Sequence, residues 1–173
     1  MKVCCPNDLT FCGIARHKRV TEINESESPM TASDLSPVYD SENIFAKILR
    51  GEIPSIRVYE DADTLAFMDI MPRADGHLMV IPKTPCRNVL DASPAQLETS
   101  IRTVQKLAIA AKTAFGSEGV TIQQFNEGAG GQEVFHLHFH VLPRREGVPL
   151  RPAGQMGDMD AIAGHAEKIR AAL

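Results

Sequence analysis

The chain of 173 residues contains no apolar run near the roughly 18 residues that a membrane-spanning helix needs, so nothing in it reads as a span. It also lacks a basic excess: 18 Lys and Arg against 22 Asp and Glu leave a formal charge of −4, which gives no bulk attraction for a nucleic-acid backbone or an anionic membrane surface. Small phosphorylated ligands stay open, because local groups suffice for them. Cysteine is scarce and badly spread for a disulfide framework, with Cys4, Cys5 and Cys12 in the first dozen residues and only Cys86 in the body. A reducing, cytoplasmic setting fits that usage. Cys4, Cys5, Cys12 and His17 match no C-x-x-C metal pattern, and the first residues hold neither a secretory h-region nor the Arg and Ser enrichment of a transit peptide.

What is present suits one domain, since this length buries one substantial core and not two comfortable ones. Residues 1–39 are polar and without sustained apolar period, which reads as a disordered or loosely tethered tail, with Met30 as an alternative start. Residues 40–145 are expected to form the functional domain. Residues 146–173 follow as an extension ending in "DMDAIAGHAEKIRAAL", which fits a short amphipathic helix with His165 as a solvated surface residue.

Within the domain, "SENIFAKILRG" predicts a helix capped by Ser41, with Ile44, Phe45, Ile48 and Leu49 on one face and Gly51 as its stop. "SIRVYE" and "TLAFMD" flank Asp61-Ala62-Asp63 as a hairpin, and "GHLMVIP" predicts a strand that places His77, Met79 and Ile81 on one side. A capping box of Ser93 and Gln96 with Pro94 at the first turn opens a long helix that Gly116 ends. "GVTIQQFN" reads as a strand and "EGAGGQE" as a Gly-rich loop. The order α-β-β-β-α-β-β predicts an α+β domain with an antiparallel sheet of about five strands and two main helices, because a parallel sheet would need a helix between most strands.

Three of the six histidines stand at alternate positions of "VFHLHFHVLPR", Val134–Arg144. A strand of period two would put His136, His138 and His140 on one face, with Phe135, Leu137, Phe139 and Val141 on the other as core. Two chemistries fit such a row. Neutral imidazoles at i and i+2 can converge on one metal, with His77 or Glu133 as a further ligand, in a metal-dependent hydrolase or oxygenase. Alternatively one imidazole attacks while its neighbours orient it, hold protons and bind an anion. The upstream "NEGAGGQ" favours the second reading, because Gly-rich backbone N–H groups and a side-chain amide can cradle phosphate oxygens. A nucleotide-binding adaptor without catalysis is the third alternative.

"HLHFHVL" resembles the histidine triad family of nucleotide hydrolases and transferases, and "NIFAKILRGEIPS", "LAFMDIMPRADGHLMVIPK" and "NEGAGGQEVFHLHFHVLPR" extend that likeness over most of residues 40–145. The resemblance implies the histidine triad fold, a purine nucleotide substrate, no cofactor, and a homodimer whose sheets join across the two copies, with the C-terminal segment shaping the partner's pocket. His138 would be the nucleophile at the α-phosphorus of a nucleoside phosphoramidate or dinucleoside polyphosphate, giving a nucleotidyl-histidine that water releases. His140 and Asn126 would contact the α-phosphate, and Gly131, Gln132 and Glu133 the phosphate and leaving group. Asp69 would hold the ribose hydroxyls with Ile70 beside it, and Phe45 and Ile48 would wall the base, their plain alternative being core. His136 and His77 would hydrogen-bond and orient the nucleophile. Glu133 departs from the Ser or Thr of many relatives and would repel an anionic leaving group. Some members hold a structural zinc at positions where this chain has Asn43, Ala46 and Pro85, so no zinc is expected. Asn126 leans toward the phosphoramidase-like branch, whereas "VLPR" does not, which leaves the branch open.

Overall fold

A computed structural model describes residues 38–173. The readings made of the tail, on Cys4, Cys5, Cys12, His17 and Met30, lie outside the described residues. Helix α1 (Ile44–Arg50) is followed by strands β1 (Arg57–Glu60), β2 (Thr64–Met68) and β3 (Leu78–Pro82), then helix α2 (Pro94–Phe115), β4 (Gly119–Gln123), β5 (Phe139–Arg144) and helix α3 (Met159–Arg170). The strands form one sheet in the order β1-β2-β3-β5-β4, with every neighbouring pair antiparallel, as the element order predicts. Among the described residues no helix is long and apolar enough to cross a membrane.

Local chemistry accounts for most boundaries. Asn43, and not the expected Ser41, caps α1: its Oδ1 accepts the N–H groups of Phe45 and Ala46 at 3.0 and 2.9 Å. Asn caps as well as Ser does, and here it directly precedes the first helical residue. The capping box of Ser93 and Gln96 opens α2 as expected, and Gly116 ends it in the left-handed conformation at φ 53°. Gly76 combines a φ of 75° with a close approach, since a Cβ there would lie 2.3 Å from the Phe115 ring at the end of α2.

The period of two in β2 and β3 divides the protein. Ala66, Met68, Leu78 and Val80 point to one face, where they join Leu107 and Ala111 of α2 and Ile162, Ala166 and Ile169 of α3 in the larger core. Helix α3 is therefore part of that core rather than a loose end. Leu65, Phe67, Met79 and Ile81 point the other way and meet Phe45 and Ile48 of α1. Register then aligns a row on this second face: Phe67 pairs with Met79, Met79 with His140, and His140 with Gln123.

One expectation needs correction. β5 begins only at Phe139, so His136 and His138 precede the strand and are not members of it. The backbone there leaves the ladder, with the Leu137 N–H bonding to the Cys86 carbonyl at 2.9 Å. The segment is irregular, with a bend over residues 134–136, and its histidines do not share one wall.

Candidate functional site

On the α1 side of the sheet lies a cavity of about 350 Å³, within the usual range of roughly 300–1,000 Å³ for small-molecule sites. Of the residues expected at a nucleotide site, Phe45, Ile48, Asp69, Ile70, Gly131, Glu133, His138 and His140 line it, together with His77. His136, Asn126 and Gln132 do not. The register row supplies Phe67, Met79, His140 and Gln123 from four adjacent strands. Sequence reading had missed Phe67, Met79, Gln123, Arg73 and Phe125. For Met79 a signal existed, because it alternates with His77; for Phe67 and Gln123 it lay in pairings between strands.

His138 is fixed by the backbone. Its Nδ1 lies 2.7 Å from the His136 carbonyl oxygen, which can only accept, so Nδ1 carries the proton and Nε2 keeps its lone pair. Phe45 packs edge-on against the ring, with centroids 5.1 Å apart. Burial holds His138 below its ordinary pKa, partly opposed by the bond to the His136 carbonyl and by Asp69. A buried neutral imidazole with one free lone pair is the form a nucleophile or base requires.

The other two cavity histidines form a relay. The Arg73 N–H donates to His77 Nδ1 at 3.2 Å, so the His77 proton sits on Nε2 and is donated to His140 Nδ1 at 2.9 Å. His140 therefore carries its own proton on Nε2. Burial pushes His77 down to about 4 and His140 down to about 3, the latter helped by its histidine neighbours, so both are neutral at pH 7. The approach of Asp69 Oδ2 to His77 Nδ1, 3.3 Å, is accordingly no ion pair. The expected support of His138 by His77 thus takes another form: His77 hydrogen-bonds His140, and His138 rests on the main chain of His136.

His136 faces away from the cavity. Its Nε2 lies 2.9 Å from the Pro82 carbonyl and its Nδ1 2.6 Å from the Tyr39 hydroxyl, and burial pushes it down to about 4. The three alternating histidines therefore do not converge on one point. The grouping whose ligand atoms come within 4.8 Å of one another is Asp69, His77 and His140, among the described residues.

The Gly-rich loop is held from behind. Gln132 Nε2 donates to the carbonyls of Arg87 and Val134 at 2.7 and 2.9 Å, and its Oε1 accepts from the Glu127 N–H at 2.8 Å. Asn126 Oδ1 accepts the Val89 N–H at 3.0 Å, and Asn126 Nδ2 donates to Gln124. These amides hydrogen-bond within and behind the loop, and neither lines the cavity. Glu127 has a φ of 60°, the one non-glycine residue with positive φ among those described, and its carboxylate is clamped by Arg87 and Asn88 at 2.8 Å each.

Ala153 and Gly154, from the connection before α3, close one side of the same cavity. Arg151 N–H donates to the Arg73 carbonyl and Gly157 N–H to that of Ile70, both at 2.8 Å, and Arg151 pairs with Asp75. His165 is half-buried rather than fully solvated as expected: its ring sits 5.0 Å from that of Phe115, edge-on, where α3 packs against the end of α2.

Comparison with known proteins follows the same outline. A Hit-like protein from Bartonella henselae superposes with a TM-score of 0.76 at 54% identity, covering 79% of this chain and all of that one. Protein hit of Bacillus subtilis is 42% identical over 58% of this chain and 70% of its own length. Adenosine 5'-monophosphoramidase HNT1 of Candida albicans is 31% identical over 75% of this chain and 90% of its own. The HIT domain model matches residues 50–147, more than half of the sequence, and the chain belongs to the HIT domain family.

Proposed function

We propose that the protein is a nucleotide hydrolase or transferase acting at the α-phosphorus of purine nucleoside phosphoramidates or dinucleoside polyphosphates. The observation that carries this is His138: a buried, neutral imidazole with Nδ1 tied to a carbonyl, at the wall of a cavity of nucleotide size. Its Nε2 lone pair forms the bond to phosphorus as the bond to the leaving group breaks, and water then cleaves the nucleotidyl-histidine. His140, kept in the Nε2–H form by His77, donates to a phosphoryl oxygen or to the departing atom. Asp69 holds the ribose hydroxyls, beside Ile70. Phe45 and Ile48, which are both core and cavity wall, take the base. Asn126, Gln132 and Gly131 keep the loop around the phosphate in shape, and Glu133 favours an amine over an anionic leaving group. The phosphoramidase named among the relatives supports the choice of reaction class. In this reading no metal or cofactor takes part, the setting is cytoplasmic, and two copies join through the exposed edge of β4, the last strand of the sheet.

The test is a panel of α-substituted adenosine and guanosine nucleotides with trapping of a protein-linked nucleotide, and with His138→Asn as the control. Turnover and a trapped adduct in the native protein, both absent from the variant while nucleotide binding persists, support the proposal. Full activity in the variant refutes the role of His138.

A further inference from the structure

Tyr39 lies before α1 and outside the matched family segment 50–147, yet its side chain reaches His136 of the histidine stretch. The Pro82 carbonyl can only accept, so it takes the proton on His136 Nε2. The neutral ring then offers Nδ1 as an acceptor, and the Tyr39 hydroxyl must be the donor across 2.6 Å. The two rings also meet edge-on, with centroids 5.6 Å apart. His136 is thus gripped at both nitrogens and fully buried. Its carbonyl is the atom that accepts the His138 Nδ1 proton at 2.7 Å. From these contacts we infer that Tyr39 is a positioning residue for catalysis: by donating to His136 it holds the residue whose carbonyl fixes the tautomer and direction of His138. It touches no substrate and acts only through His136. The phenol keeps its proton throughout the working range, since burial raises its pKa above the ordinary value.

The inference rests on the nucleophilic role proposed for His138, and its test separates the two. Tyr39→Phe removes one oxygen and keeps the ring. In the protein labelled with ¹⁵N at histidine, loss of the donor should move the His136 Nδ1 resonance downfield and weaken the protection of the His138 Nδ1 proton from exchange. In turnover of the best substrate in the panel, kcat should fall roughly fivefold, the scale of one lost hydrogen bond, with KM unchanged. Tyr39→Leu, which also removes the ring, should match the kcat loss and lower thermal stability further. An unmoved His136 resonance, an unchanged kcat, or a change confined to KM each overturns the positioning role. The spectroscopic arm needs no substrate: if the native protein turns over none of the nucleotides, the proposed function falls, while the resonances still decide whether Tyr39 holds the triad.

Discussion

Alternate residues of the same strands meet very different surroundings on the two faces of the sheet. Toward α2 and α3 the neighbours are Leu107, Ala111, Ile162, Ala166 and Ile169, all essentially without exposure. Toward α1 the same backbone presents Phe67, Met79 and His140 to an open cavity edged by Asp69 and Glu133. One face is filled, and its residues stabilise by removing apolar surface from water. The other is left partly empty, and its His77 and His140 are kept neutral by burial at the expense of their hydration. Stability and chemistry are thereby assigned to opposite parities of one sequence.

Substitutions on the two faces should separate cleanly. The largest effect belongs to His138→Asn, which should lower kcat by at least ~10³-fold while leaving the melting temperature within a few degrees, read by turnover and calorimetry on the same samples. Leu107→Ala on the filled face should do the reverse, costing about 2–5 kcal/mol in denaturant unfolding with kcat per folded molecule unchanged. For Leu107→Ala, a fall in kcat per folded molecule without a fall in stability would break the division.

Acid should act on the buried histidines. His77, His136 and His140 take up protons near 6.5 when unfolded but only near 4, 4 and 3 when folded. Between those values the unfolded chain binds more protons, so stability is complete above about pH 6.5 and declines as pH falls toward 4. A stability-pH curve measured by urea titration should drop by up to ~3 kcal/mol for each of the three rings across that window. The variant His77→Asn should reduce the drop by about a third, leaving the part due to His136 and His140, and a flat native curve would contradict the buried neutral state of these rings.

Smaller effects are expected in the loop. Glu127→Gln keeps the positive φ but loses the charged clamp from Arg87, and should cost about 1–3 kcal/mol with a slower chemical step. Glu133→Ser removes an exposed carboxylate at the cavity and should change stability by under about 0.5 kcal/mol, while improving turnover of substrates with anionic leaving groups relative to amine ones. Equal effects on both substrate types would remove Glu133 from any role in leaving-group choice.

Local chemistry was the legible part of this sequence. The Ser93 and Gln96 capping box, the hairpin around Asp61-Ala62-Asp63 and the alternation at His77, Met79 and Ile81 all depend on neighbours a few residues apart, and all appear as read. The histidine stretch was read too simply, because alternation signals a strand only where a partner continues the ladder, and the Leu137 amide turns instead to Cys86. Asn126 and Gln132 stand out in the sequence, but not their commitment to the Val89 amide and the Arg87 and Val134 carbonyls, since a sequence does not reveal which backbone group an amide will find. Nothing in the sequence pattern marks Tyr39 or Ala153. Their contacts span long separations in the chain, 97 residues for Tyr39 and His136, and no periodic pattern surrounds either.

The fit between Gly76 and the Phe115 ring links helix length to the presentation of His77. Adding a residue near the last turn of α2 would drive an aromatic side chain into the bend that delivers the relay histidine. Variation in the size of this helix should therefore accumulate at its opening turn, around Ser93 and Pro94, which are exposed.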